Sequence, residues 1–161
     1  MTPPIRLRPE TGEDDAFLIH LYGTTREWEL AHAHLTEQQK TAFIESQFHL
    51  QRVHYRKHFS GASFDVVLWE EERVGRLYVL RQEQEIRIVD LAILPGFRGK
   101  GIGSALLAGL IEEGSASGRA LSLHVETQNP ARRLYERHGF RLAEEKGPFV
   151  LLERPLDKPG V

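Results

Sequence analysis

Between residues 90 and 107 the chain reads Asp-Leu-Ala-Ile-Leu-Pro-Gly-Phe-Arg-Gly-Lys-Gly-Ile-Gly-Ser-Ala-Leu-Leu, and no other stretch constrains the fold as tightly. An apolar strand ends at a proline, a glycine-rich basic turn follows, and an amphipathic helix begins. Gly99, Gly101 and Gly103 alternate with Lys100 and Ile102, with Arg98 just ahead of them. Without Cβ atoms in the way, the backbone N–H groups of such a turn can line one concavity. The helix start adds unpaired N–H groups and the positive end of its dipole. Arg98 and Lys100 add full charges. The combination predicts a cradle for a phosphate or pyrophosphate. The plainer alternative is a flexible turn at a helix N-terminus with surface charges.

Two familiar glycine loops fit poorly. A P-loop needs Ser or Thr directly after its lysine, and Lys100 is followed by Gly101. A dinucleotide fingerprint needs Gly-x-Gly-x-x-Gly opening a βαβ unit, whereas the spacing here is Gly-x-Gly-x-Gly, deep in the chain. Arg98-Gly-Lys-Gly-Ile-Gly103 fits a looser Arg-x-x-Gly-x-Gly pattern. A second segment, residues 121–140, reads as strand, turn, short helix and strand, with Asn129, Tyr135, Gly139 and Phe140 in sequence. These two segments, in this order and separated by one helix, resemble the GNAT (Gcn5-related) N-acetyltransferases. The N-terminal half matches that family only in its pattern of elements.

Composition narrows the alternatives. With 161 residues, 40% hydrophobic and 27% charged, the chain suits one soluble globular domain, expected over residues 1–154 with a tail at 155–161. The formal net charge of −2 gives no global basic field for nucleic acid. There is no cysteine, so disulfides, thiol nucleophiles and Cys-ligated metals are excluded. The first residues lack a signal-peptide pattern, and the longest apolar run, Ala105 to Ile111, falls far short of a membrane span. The expectation is a cytoplasmic protein, monomer or homodimer, with no membrane or nucleic-acid partner.

Local patterns supply the elements. Residues 5–8 alternate as an opening strand, and residues 11–15 offer capping oxygens to a first helix. Residues 27–34 are helix or loop. Thr36-Glu-Gln-Gln39 is a capping box opening a long helix. Ile44, Phe48, Arg52, Tyr55 and Phe59 form its buried face, with Phe43, Gln47, Leu50 and His54 as a neighbouring stripe. Strands at 63–69, 74–81 and 85–94 make an antiparallel meander. The glycine loop opens a helix at 101–115, and a parallel strand follows at 121–126 by a right-handed crossover. Strands at 140–144 and 149–153 close the sheet. The fold class is α+β, a central, mostly antiparallel sheet with about four helices. The resemblance implies that the fourth and fifth strands splay apart around the pantetheine arm of acetyl-CoA, the expected co-substrate.

The same resemblance assigns site residues. Backbone groups of Leu91, Ala92 and Ile93 would contact pantetheine, and one N–H would polarise the thioester oxygen. Arg98, Gly99, Lys100, Gly101, Ile102, Gly103 and Ser104 would hold the pyrophosphate. Asn129 would bond pantetheine or cap its helix, and Arg132 or Arg133 would reach the phosphates. Tyr135 is the candidate general acid, since a phenol with a pKa of about 10 is protonated at neutral pH. Its alternative role is packing against the sheet.

The base stays open. His124 shares a strand face with Ser122 and Glu126, and an imidazole with a pKa of about 6.5 suits the task. Asp90 and Glu85 compete from the preceding strand, and a water-mediated route needs no single residue. His54 and His58 stand four apart on a helix without an evident third metal ligand, so no metal is expected. The acceptor wall is expected at residues 24–59, including Arg26, Glu27, Trp28, Glu29, His32, His34, Tyr55 and His58. The leading reading is an acetyl-CoA-dependent N-acetyltransferase acting on a primary amine of a small molecule or protein. A non-catalytic acyl-CoA sensor of the same fold is the alternative, and a phosphate- or nucleotide-binding domain unrelated to CoA is the third.

Overall fold

A computed structural model describes residues 4–156. The tail expected at 155–161 lies outside the described residues from 157 onward. Seven strands form one sheet in the order β1-β2-β3-β4-β5-β7-β6. They are β1 Ile5–Pro9, β2 Ser63–Trp69, β3 Glu72–Arg81, β4 Glu85–Ile93, β5 Ala120–Glu126, β6 Arg141–Lys146 and β7 Phe149–Arg154. Between β1 and β2 come α1 Asp15–Thr24, α2 Glu27–Ala31 and α3 Glu37–His58; α4 Ile102–Ser117 joins β4 to β5, and α5 Arg132–Arg137 follows β5. The class is mixed α and β, with a largely antiparallel sheet. Only β4 and β5 run parallel among the described strands, and α4 is their crossover.

Local chemistry accounts for the helix boundaries. Thr36 Oγ1 accepts from the Gln39 amide at 3.1 Å, and Gln39 Oε1 accepts from the Thr36 amide at 2.9 Å, the reciprocal capping box that starts α3. Gly118, with φ of 71°, ends α4 in the left-handed conformation that glycine adopts freely. Residues 27–34, undecided from sequence, hold the short α2, with Leu30 buried and Trp28 stacked on His32 at 4.6 Å.

The two sheet faces differ. On one, Leu77, Val79, Ile86, Ile88, Leu121 and Leu123 pack against Ile102, Leu106, Leu107 and Leu110 of α4. Each fully buried Leu or Ile contributes on the order of 1.5–3 kcal/mol. On the other lie α1 and α3, with Leu18, Tyr22 and Phe48 as a smaller cluster. The Ile44, Phe48, Arg52, Tyr55, Phe59 face of α3 turns inward as the spacing predicts. The neighbouring stripe does not: Phe43, Leu50 and His54 are exposed, because one sheet face covers only one side of a straight helix.

One irregularity places the site. β4 pairs with β5 only over Glu85–Ile88 against Ala120–Leu123. Beyond that point β4 stays with β3, and β5 stays with β7 through Glu126. A bulge in β4 at Val89 falls where the two strands part. Val89 through Leu94 are all half-buried, since one edge of this segment has no neighbouring strand.

Candidate functional site

The gap between β4 and β5 leads to the glycine loop. Pro95 starts a 3-10 turn over Pro95–Phe97, which stops the β4 ladder and turns the chain toward α4. Gly99 and Gly101 have φ of 74° and 85°, so both need the left-handed region. A Cβ placed on either would meet no atom within 4 Å, so this face of the loop is open space. Gly101 is the N-cap of α4 and has no side chain to cap with. The Ala105 amide reaches the Gly101 carbonyl at 3.0 Å, and the amides of Ile102, Gly103 and Ser104 precede this first helical bond. Unclaimed N–H groups, a dipole's positive end and Cβ-free approach together fit a pyrophosphate.

The charged side chains of the loop are partly engaged within the protein. Arg98 Nε donates to the Ile93 carbonyl at 3.0 Å, tying the loop to the end of β4. Lys100 Nζ lies 5.9 Å from the centroid of the Trp69 ring. Both side chains are thus held against the protein, and the open face of the loop is lined by backbone. Asn129 Oδ1 accepts from the Ala131 amide at 2.9 Å, an Asx turn just ahead of α5, whose own N-cap is Ala131. Arg132 Nη1 donates to the Thr127 carbonyl at 3.2 Å, while Arg133 is exposed.

Tyr135 comes up from α5 into the core on the α4 side, 6% exposed, with its ring edge-on to Phe140 at 5.7 Å. Burial first, and then the negative charge of Asp90, hold its phenol well above the ordinary tyrosine range. The hydroxyl therefore keeps its proton, and it has no hydrogen-bond partner among the described residues. Asp90 lies two residues past Ile88, on the α3 side of β4, so Tyr135 and Asp90 approach the gap from opposite faces.

His124 stands at the first position of β5 beyond the β4 pairing. Arg87 Nε donates to Ser122 Oγ at 2.7 Å, and its Nη1 lies 2.9 Å from His124 Nδ1. Glu85 Oε1 completes the group, 3.2 Å from Arg87 Nη2. Guanidinium has no acceptor, so Nδ1 must accept and a neutral ring carries its proton on Nε2. As placed, His124 offers a donor. Burial, and then the Arg87 charge, push its pKa below the usual imidazole value.

Asp90 is bound differently. Its Oδ2 accepts from the Tyr55 hydroxyl at 2.9 Å and from Arg76 Nη2 at 2.7 Å. Arg76 is 3% exposed, and the same Nη2 also donates to Gln51 Oε1 at 2.7 Å. Burial and the nearby Asp90 charge raise the Tyr55 phenol far above its ordinary range, so Tyr55 is a fixed donor. Arg76 and Gln51 were not singled out in the sequence. The available signal was an arginine inside Val74–Val79, a run otherwise made of buried apolar, aromatic and glycine residues. Of the expected acceptor wall, Tyr55 turns inward to Asp90, Arg26 is bound to Glu29 and Tyr22, and Trp28 is 75% exposed.

A family model described as the acetyltransferase (GNAT) family matches residues 24–140. An uncharacterized N-acetyltransferase, YycN of Bacillus subtilis, is 38% identical over 78 residues, 45% of this chain and 50% of that protein. The match thus spans half the length of that relative. Among solved structures, PaiA N-acetyltransferase from Thermoplasma acidophilum in complex with coenzyme A aligns with a TM-score of 0.70 at 19% identity, over 94% of this chain and 99% of that one. An acetyltransferase from Thermus thermophilus aligns at 0.66 and 20% identity, over 97% and 98% of the two chains. At these identities the likeness is one of fold.

Proposed function

The chain belongs to the acetyltransferase (GNAT) family, and from that membership we propose that it is an acetyl-CoA-dependent N-acetyltransferase whose acceptor is a primary amine. The observation that carries this reading is the adjacency of two features. The unpaired edge of β4 beyond Ile88 runs directly into the glycine loop at the N-terminus of α4. An elongated thiol ester with a pyrophosphate at one end matches that shape. Bound acetyl-CoA would supply an activated acetyl thioester.

Each residue then has a part. The amides of Ile102, Gly103 and Ser104, reached past Gly99 and Gly101, would hold the pyrophosphate. Leu91, Ala92 and Ile93 would present backbone groups along the gap, and one N–H placed at the thioester oxygen would stabilise charge developing there. Tyr135 holds a proton at its hydroxyl for the leaving sulfur. The attacking nitrogen sheds its proton to Asp90 or to water in the open gap, with His124 as a neighbouring donor. The related structure with coenzyme A supports the choice of cofactor by analogy.

The test is a thermal-shift titration with acetyl-CoA, CoA, ATP and NAD, followed by a thiol-release assay over an amine panel. A shift with the two CoA species alone, and thiol release that depends on amine, is expected. A shift with the nucleotides instead overturns the cofactor assignment. CoA binding without release on any amine favours the non-catalytic sensor. Gly101→Val adds a side chain on the open face of the loop and strains its φ of 85°, and on both counts should abolish the CoA shift.

A further inference from the structure

The donors of the buried Arg76 are only partly used. Its Nη2 gives its two hydrogens to Gln51 Oε1 and Asp90 Oδ2, at 2.7 Å each. Its Nε is buried and has no hydrogen-bond partner among the described residues. A buried N–H of a charged group is costly to leave unmet, so nearly all such groups find a partner in the protein or in ordered water. A void of about 10 Å³ lies against this side chain, between α3 and the sheet. That is about the space one water molecule needs. Glu10, Gln51, Tyr55 and Tyr78 border it besides the arginines. Glu10 is the acceptor with capacity to spare. Its side chain is 6% exposed; Oε1 accepts from Arg56 Nη2 at 2.6 Å and Oε2 from the Tyr78 hydroxyl at 2.5 Å. A carboxylate has about four lone-pair sites, so each oxygen can take a second donor.

We propose that this void is a binding site for one water molecule, which accepts from Arg76 Nε and donates to the Glu10 carboxylate, joining the anchor of Asp90 to the end of β1. A third hydrogen bond is open to it, to the hydroxyl oxygen of Tyr55 or Tyr78, since each gives its own proton elsewhere and keeps lone pairs. About three bonds is the usual number for an internal water. Other occupants fit less well. Arg52, Arg56 and Arg76 all border the void and repel a cation, while an anion would meet Glu10. Glu10 directly follows β1, and its amide donates to the Phe64 carbonyl at 2.9 Å, so the sheet holds it in place. The chain of contacts then runs from Glu10 through the water to Arg76 and on to Asp90. Glu10 thereby acts as a positioning residue for Arg76 and, through it, for Asp90. The inference does not rest on acetyl transfer.

The test is water–protein NOE and ROE spectroscopy on the isotope-labelled chain, together with a high-resolution crystal structure. The Arg76 Nε–H should show a cross-peak at the water frequency with the sign of a long-lived contact. The crystals should show a density peak within about 3.2 Å of Arg76 Nε and of a Glu10 oxygen. Glu10→Met keeps the reach of the side chain and removes both acceptors. The cross-peak should vanish, and the Arg76 Nε–H should exchange with solvent about tenfold faster or more, the effect of losing one hydrogen bond to a charged group. Because Arg56 and Tyr78 lose a partner in the same change, Glu10→Gln serves as the variant that keeps the fold. It leaves one acceptor, and exchange should quicken about threefold to tenfold. A resolved Arg76 Nε–H without a water cross-peak, or a void without density, overturns the proposal. A cross-peak and an exchange rate that match wild type in both variants overturn the link to Glu10 and the positioning role with it. CoA does not enter the test, so a failed acetyltransferase reading leaves this proposal standing, and a dry void leaves that reading standing.

Discussion

Arg87 and His124 meet at 2.9 Å, guanidinium Nη1 to imidazole Nδ1, across the last paired rung of β4 and β5. The contact fixes a tautomer, because only one of the two partners can accept. It also disfavours protonation of the ring, after the larger effect of burial. Other charges near the ring are Lys146, Glu144 and Glu85.

Arg87→Met should therefore move the His124 titration midpoint upward, toward about 6.5, as followed by imidazole NMR. The sign carries to stability. A histidine whose folded pKa lies below its unfolded one contributes stability present above about pH 6.5, and this is lost as pH falls through the folded value. The variant should lose less stability than wild type between neutral and mildly acid pH. A midpoint unmoved by the substitution removes Arg87 from control of the ring.

Gly75 of β3 faces the end of β4 so closely that an added Cβ would lie 2.3 Å from the Ala92 carbonyl oxygen and 2.7 Å from Ile93 Cδ1. The nearest obstacle is backbone, which cannot swing aside. Gly75→Ala should destabilise by about 1–3 kcal/mol, the usual range for overpacking. By pushing Ala92 and Ile93 into the gap it should also weaken CoA binding. Thermal melts with and without CoA test both effects; a melting temperature and CoA shift equal to wild type would refute the predicted crowding.

Tyr135→Phe separates chemistry from packing. The ring contact with Phe140 survives the change, and the hydroxyl has no partner to lose among the described residues. Stability should stay within about 0.5 kcal/mol of wild type. Turnover should fall roughly tenfold to a hundredfold if this hydroxyl protonates the leaving thiolate. Single-turnover rates at saturating amine are the measurement, and an unaltered rate removes Tyr135 from proton transfer.

Asp14 controls acid stability. Arg8 donates to its two oxygens at 2.8 Å each, the Thr11 amide at 2.8 Å and Arg73 at 3.2 Å. The carboxyl is held well below its usual range, chiefly by the Arg8 hydrogen bonds. A depressed folded pKa gives stability that is complete above the unfolded value of about 3.9 and lost as pH falls toward the folded one. Asp14→Ala should cost about 1.5–3 kcal/mol at pH 7, the order of hydrogen bonds to a charged group, since the arginines left behind stay within reach of solvent. The deficit should shrink below about pH 4 in urea melts repeated across pH. A deficit that stays constant with pH contradicts the linkage.

The sequence by itself determined whatever depends on a few neighbouring residues. Gly99, Gly101 and Gly103 before an apolar helix announced the loop, since positive φ and Cβ-free approach are properties of single residues. Thr36 with Gln39 marked the start of α3, and Pro95 marked the end of the β4 ladder. The bounds of β2, β4 and α4 followed from periodicity and turn residues, because those report local backbone geometry. Only the tertiary structure decided which side chains share an oxygen or a ring nitrogen. Arg76 meets Asp90 from another strand, Tyr55 meets it from a helix 35 positions away, and Arg87 meets His124 at a separation of 37. Each pair joins residues of different elements, so no helical or strand period within one element relates them. They follow from strand order, from the bulge at Val89 and from the point where β4 leaves β5. The same limit explains the stripe of α3 carrying Phe43, Leu50 and His54. Its periodicity is helical, but whether a helical stripe is covered depends on what the rest of the chain places against it.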